Sequence, residues 1–125
     1  LHVQDYCDAA ELLMFSPKEK VHNEIFNIGT QNLSIADIAY MVKSVVENEF
    51  PEKNDIEIVT TSSDDLRSYH INSDKIKNVL NFVPKYSVED AIKSLCDAHK
   101  KNLYPNSMED DIYFNVKRLM RLKVV

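Results

Sequence analysis

Apolar positions recur along this chain with helical spacing, and the first such stretch lies near its start. Ala9, Leu12 and Leu13 follow the three- and four-residue spacing of one helix face. Asp5 stands where a capping residue could begin that helix, and the Ser-Pro pair that ends at Pro17 should end it. The pattern predicts a first helix between these two points.

A longer helical stretch follows Ser34. Asp37 completes a capping-box pattern with that serine, and the apolar residues after it share one face. The helix should end near Phe50 and Pro51. Its predicted inward face consists of Ile35, Ile38, Ala39, Val42, Val45 and Val46.

Two short runs flank this helix and have the composition of strands. They are residues 24–28, which are followed by Gly29, and residues 56–60. A strand, a helix and a second strand in this order predict a small parallel βαβ unit with a right-handed crossover.

Three more helices are predicted in the C-terminal half, beginning at Ser73, Ser87 and Ser107. The second should end at Tyr104 and Pro105. The third has acidic residues in its first turn and basic residues in later turns, which suits the helix dipole. The helix that begins at Ser87 has five residues predicted to face inward: Val88, Ala91, Ile92, Leu95 and Cys96. The predicted fold class is therefore helix-rich α/β, with a two-stranded parallel βαβ unit and a cluster of about five helices.

Composition narrows the function classes. A formal net charge of -5 and the lack of any basic run longer than two residues disfavour nucleic acids and anionic membranes as partners. No apolar run approaches the length of a membrane span, and no signal-peptide pattern is present. Cys7 and Cys96 stand alone, which favours reduced, buried thiols and a cytoplasmic location.

Several catalytic patterns can be set aside. Gly29 is the single glycine, so the chain has no glycine-rich loop for a dinucleotide. The four histidines have no metal-ligand spacing, and no serine lies in a nucleophile elbow. Tyr113 and Lys117 form a Tyr-x-x-x-Lys pair that could lower the pKa of the phenol. A packing role for Tyr113, beside Ile112, Val116 and Met120, is the favoured interpretation, and a small enzyme that uses this pair remains the alternative.

One polar cluster remains as a candidate site. It contains Asp64, Asp65, Arg67, Tyr69 and His70, between the second predicted strand and the Ser73 helix. Arginine can bind two phosphate oxygens at once, and a carboxylate can accept hydrogen bonds from two neighbouring sugar hydroxyls. These residues would suit a nucleotide sugar. The alternative is a solvated turn with a local ion pair.

Three segments resemble a known family. They are LHVQDYCDAAELL at residues 1–13, EIFNIGTQNLSIADIA at residues 24–39, and DDLRSYHINSDKIKNVLNFVPKYSVEDAI at residues 64–92. In order and spacing they are similar to the C-terminal substrate-binding portion of extended short-chain dehydrogenase/reductases. These are the NAD-dependent sugar-nucleotide epimerases and dehydratases.

The resemblance implies a division of labour. The family's N-terminal Rossmann domain binds NAD and carries the catalytic tyrosine and lysine, and the C-terminal portion binds the nucleoside diphosphate sugar. Because the chain starts at Leu1 within a structured segment, we expect it to be a fragment without that cofactor domain, and inactive alone. Residues 1–103 would form the family-like core of a single domain, and residues 104–125 a helical extension.

The resemblance also implies site residues. Asp65 matches an aspartate that binds the ribose hydroxyls in the family. Arg67 would bind the phosphates or order the loop, and Tyr69 is a third candidate beside them. Two positions depart from the family pattern, because Ser62 replaces its diphosphate arginine and Asn81 stands where glycine is common. The expected partners are a nucleoside diphosphate sugar and the missing Rossmann domain, and formation of a homo-oligomer is left open. A free-standing protein-interaction module without catalysis is the alternative.

Overall fold

The computed structural model describes residues 1–62 and 68–123, and within them the regular structure is helical. Six α-helices are present, with 3₁₀ turns at Pro51–Lys53 and Asp111–Tyr113. The helices are α1 (Val3–Phe15), α2 (Lys18–Val21), α3 (Ile35–Glu49), α4 (Asp74–Leu80), α5 (Val88–Lys100) and α6 (Asn115–Arg121). None of these helices is long and apolar enough to cross a lipid bilayer.

The chain divides into two compact units, Leu1–Ser94 and Leu95–Val125. The first unit holds α1 to α4 and the start of α5, and the second holds the end of α5 and α6. The predicted single domain with a core ending at residue 103 remains a prediction.

The predicted βαβ unit is wrong, because no strand occurs among the described residues. Segments 24–28 and 56–60 have no regular structure, and side chains from helices bind their backbone groups. Lys75 of α4 donates to the Ile25 carbonyl over 2.9 Å. Lys43 donates to the Ile56 carbonyl over 2.5 Å, and Glu47 accepts from the Ile56 amide over 3.2 Å. The predicted α/β class is thus replaced by a helical one.

The strand prediction failed for an identifiable reason. Phe26 and Ile28 are half-buried and pack against the core, whereas Ile25 and Asn27 between them are exposed. This two-residue period is the burial pattern of a strand. Alternation reports which side chains are buried, but a strand also needs a neighbouring backbone for its hydrogen bonds.

A small core joins α1, α4 and the turn that follows α4. Ala9, Ile76 and Phe82 are buried at its centre, and Leu12, Phe26, Ile28 and Leu80 pack against them. Elsewhere Val45, Ile92 and Cys96 are buried. Three residues predicted to face inward are exposed instead, Ile35 at 83%, Val42 at 39% and Leu95 at 62%. Cys7 is also exposed, so the prediction of two buried thiols holds for Cys96 alone.

Asp5 is a charged residue buried in the first unit, at 1% exposure. Its Oδ1 accepts from the Lys85 amide over 2.8 Å, and its Oδ2 accepts from the Tyr86 amide over 3.1 Å. The prediction that Asp5 caps α1 is wrong. His2 is the N-cap residue, and its Nδ1 accepts from the Gln4 amide. Asp5 therefore holds α1 against the segment that leads into α5.

Surface contacts surround this buried carboxylate. The His2 ring stacks on Tyr86 with centroids 4.5 Å apart. Lys85 Nζ lies 3.0 Å from Asp8, which also accepts from Gln4. Hydrogen bonds from Gln4 and Lys85 lower the pKa of Asp8. This ion pair is exposed to solvent, so it contributes less than the buried bonds of Asp5.

Both predicted capping boxes are confirmed, and they begin α3 and α5. Ser34 Oγ donates a hydrogen bond to the Asp37 carboxylate and accepts one from the Asp37 backbone amide. The Ser34 amide also donates to that carboxylate. Ser87 and Asp90 repeat this arrangement at α5. Hydrogen bonds from the serines lower the pKa of Asp37 and Asp90.

Asparagine provides the left-handed backbone positions at the ends of helices. Asn81 has φ of 55° directly after α4, and Asn102 has φ of 51° after α5. At α5 the Leu103 amide donates to Ala98 O and the Asn102 amide to His99 O, which is a Schellman motif. Asparagine tolerates this conformation better than other residues with a Cβ, so these turns form without glycine.

The C-terminal helix differs from its prediction. Residues 107–109 form a turn and α6 begins only after Phe114, so the acidic residues lie outside its first turn. Asp111 instead lies 3.5 Å from Arg118 and 2.8 Å from Arg121. α5 also ends at Lys100, before the predicted stop at Tyr104 and Pro105.

We predict that Asp5→Asn lowers the free energy of unfolding by about 1–3 kcal/mol. Asparagine offers one acceptor oxygen where the carboxylate offers two, so one buried amide loses its partner. Urea unfolding followed by circular dichroism measures the change. Glu11→Gln, at an exposed position of the same helix, is the control and should leave stability unchanged. Equal stability of the two variants would contradict the role given to Asp5.

A second prediction concerns Asn81. Asn81→Ala should lower the free energy of unfolding by about 1 kcal/mol, because alanine has no side-chain amide to ease the left-handed backbone. Asn81→Gly should match or exceed the parent. Asn78→Ala, in the exposed interior of α4, is the control and should be neutral or stabilising. Thermal unfolding of the three variants gives the comparison, and a stable Asn81→Ala protein would show that the turn is not strained.

Candidate functional site

The predicted site divides between described and undescribed residues. Asp64, Asp65 and Arg67 lie outside the described part of the chain. Tyr69 and His70 lie within it and are exposed, Tyr69 at 70%. The structure therefore gives the surroundings of the C-terminal side of this loop, which are built by residues 29–32 and 71–74.

Asn32 fixes the backbone where the chain leaves the loop. Its Nδ2 donates to Ile71 O and its Oδ1 accepts from Ile71 N, both over 3.0 Å. One side chain thus binds both backbone groups of a residue 39 positions away. A paired backbone would make the same two contacts in a sheet. The backbone two residues after Tyr69 is therefore held in place at Ile71.

Gly29 lies on the other side of the same residue. A Cβ at Gly29 would stand 3.4 Å from Ile71 Cγ2 and 3.6 Å from Ser73 Oγ. These are ordinary contact distances, and the glycine backbone is not left-handed. Ser73 Oγ is buried and has no hydrogen-bond partner among the described residues. The N-terminal amide of α4 is bound by Asn72 rather than by Ser73, over 2.8 Å from Asp74 N to Asn72 Oδ1.

Gln31 connects the same short loop to α5. Its Oε1 accepts from the Val88 amide over 3.0 Å, at the first residue of that helix. Residues 29–32 therefore contact both the exit of the predicted site loop and the beginning of α5. Gln31 and Asn32 are not among the predicted site residues. Their partners lie 57 and 39 residues away, and no local pattern could have revealed them.

Two cavities are lined by other described residues. One of about 430 Å³ is lined by Tyr40, Lys43 and residues 55–58. Another, of about 270 Å³, lies in the second unit and is lined by residues that include His99, Tyr104 and Glu109. Tyr69 lines neither of these two cavities, and its side chain is 70% exposed. No group of three metal-ligating side chains occurs among the residues that were described.

The Tyr-x-x-x-Lys pair is not assembled as a helical pair. Tyr113 ends a 3₁₀ turn and Lys117 belongs to α6. Lys117 Nζ stands over the ring of Phe114, 4.2 Å from its centroid. The predicted packing role of Tyr113 is not seen either, because Ile112, Val116 and Met120 beside it are all exposed.

A comparison with protein-family models found no match, and comparisons with curated proteins and with solved structures found none either. The arrangement at residues 29–32 and 69–74 therefore has to be interpreted from its own contacts.

We predict that Asn32→Leu speeds hydrogen exchange of the Ile71 amide by roughly fivefold, since one hydrogen bond contributes about 1 kcal/mol. Asn32→Asp keeps the acceptor for that amide and should change its exchange much less. Asn27→Asp, at an exposed position of the preceding segment, is the control. Nuclear magnetic resonance measures the rates, and equal exchange in all variants would show that Asn32 does not hold Ile71.

Proposed function

We propose that this chain is the nucleoside diphosphate sugar-binding portion of an NAD-dependent epimerase or dehydratase. The observation that carries the proposal is the way three separate sequence segments meet. Asp5, Asn32 and Gln31 bind backbone groups of residues 85–86, 71 and 88. The three segments that resemble the enzyme family are thus joined by side chain-to-backbone hydrogen bonds.

In this proposal, Asp65 accepts from the ribose hydroxyls and Arg67 binds the diphosphate. Tyr69 contributes an exposed aromatic ring on the same loop. The Asn32 contacts hold the end of this loop and so limit where the ligand groups can lie. The chemical role of the portion is to position the sugar, because fixed orientation lowers the entropic cost of reaction.

NAD does not fit the residues of this chain. Its single glycine lies against Ile71 instead of opening a helix, and α3 begins with a serine capping box. A pyrophosphate needs a close approach to backbone amides at a helix N-terminus. In this proposal the cofactor domain therefore lies outside these 125 residues.

An exposed face of α1 supports the need for a partner. Helical spacing places six residues with no charge on one side of the helix, opposite the buried Asp5 and Ala9. These residues, called the α1 stripe, are Val3, Tyr6, Cys7, Ala10, Leu13 and Met14. Four of them are exposed and two are half-buried. The cofactor domain would cover this stripe.

The α1 stripe also favours the second candidate, a protein-interaction module without catalysis. Large uncovered apolar faces commonly mark protein contacts. The two candidates differ in ligand binding, because only the first requires affinity for a nucleotide sugar.

Calorimetric titration with UDP-glucose, GDP-mannose and dTDP-glucose tests the proposal. We expect at least one of them to bind, and Asp65→Asn and Arg67→Gln to weaken binding about tenfold or more by removing charged hydrogen bonds. Asp55→Asn and Lys53→Gln, at exposed positions away from the loop, are the controls.

The same titration with NAD should show no binding. Micromolar NAD affinity would contradict the assignment of the cofactor to another domain. Failure of every nucleotide sugar to bind would favour the interaction module.

A further inference from the structure

The second unit contains a segment whose charge is opposite to that of the chain. Residues 112–123, called the basic segment, contain four basic and no acidic side chains. The whole chain carries -5, so the remaining residues carry -9. The net charge of the whole chain was the reason to expect that anionic membranes are poor partners. That net charge conceals the opposite charge of the basic segment.

The basic segment separates its apolar and charged side chains. With 3.6 residues per turn, Val116, Leu119 and Met120 fall on one side of α6. Lys117, Arg118 and Arg121 fall on the other side. The helix is therefore amphipathic along its described length.

Its apolar side is uncovered. Val116 is 65% and Met120 66% exposed, and Ile112, Leu119 and Leu122 are exposed as well. In a helix that packs on a protein core, these are the residues that would be buried. The basic segment thus presents an apolar face bordered by cations.

Intramolecular pairing removes only part of the positive charge. Arg121 Nε lies 2.8 Å from Asp111 Oδ2 at an ion-pair distance without hydrogen-bond alignment, and Arg118 lies 3.5 Å from the other oxygen. One carboxylate therefore faces two guanidinium groups. Lys117 contacts the Phe114 ring. A net positive charge remains beside the apolar face.

We propose that the basic segment binds an anionic lipid surface, with α6 lying in the plane of the headgroups. Lipid phosphates lie above acyl chains, and this layering matches basic side chains along the border of an apolar face. Tyr113, whose ring carries a polar hydroxyl, lies at one end of the segment and suits the same interface. An acidic groove of a protein would contact more than one side of the segment, whereas its apolar residues lie open on one side alone.

Vesicle co-sedimentation of the full chain tests the proposal. The chain should bind vesicles that mix phosphatidylserine with phosphatidylcholine, and bind pure phosphatidylcholine far less. High salt should release it, because salt screens the attraction to the surface. Equal binding to both kinds of vesicle, or none to either at low salt, would overturn the proposal.

Two double variants locate the surface. Lys117→Gln with Lys123→Gln should weaken binding to the mixed vesicles at least roughly tenfold, since each lysine near an anionic surface contributes about a fivefold factor. Lys18→Gln with Lys20→Gln changes the net charge equally at exposed positions of α2 and should bind like the parent. Equal loss in both variants would overturn the assignment to α6.

The apolar side needs its own variant. Met120→Gln leaves the charge unchanged and should reduce binding to the mixed vesicles at low salt; binding equal to the parent would overturn the role of the apolar side. Circular dichroism should show unchanged helix content in every variant. Retention on polyglutamate beads with no vesicle binding would overturn the lipid proposal and indicate an acidic protein partner.

Discussion

The first unit depends on one buried carboxylate. Asp5 is almost fully inaccessible, and both of its oxygens bind backbone amides 80 and 81 residues away. A buried carboxylate is costly unless its acceptors are satisfied, and here two amides that need partners satisfy it. The bonds hold α1 beside the segment before α5, while Ala9, one turn further along the helix, enters the core with Ile76 and Phe82. Polar and apolar contacts on the same face of α1 thereby fix one arrangement of its neighbours.

The same principle explains how a helical fold accommodates extended segments. Backbone groups that would pair in a sheet are bound by side chains, as Lys43 and Glu47 do at Ile56 and Lys75 does at Ile25. Asn32 makes both contacts of a paired strand at Ile71 with a single amide. Such bonds satisfy individual groups without creating a ladder. They also place residues 29–32 between the candidate loop and α5, which gives the proposed ligand site a supported edge.

The α1 stripe and the apolar side of the basic segment are both uncovered by the described residues, and their surroundings differ. The α1 stripe has no charge and lies opposite the core, which suits the broad interface of another domain. The basic segment has cations along its border, which suits an anionic surface. The proposed nucleotide sugar site and the proposed lipid contact thus lie in different units of the chain. In these proposals, the first would position the substrate and the second would determine where the protein is held.

The sequence alone determined the helices with local signals. Both serine capping boxes, the end of α1 before Pro17 and the end of α3 at Phe50 followed from neighbouring residues, because capping and proline effects act within one turn. Only the tertiary structure decided the rest. The burial of Asp5, the contacts of Gln31 and Asn32, the exposure of Ile35 and Leu95 and the lack of strand pairing in the described residues depend on distant partners. Periodicity shows which side chains lie on one face, but the residues that meet that face are set by how the whole chain packs.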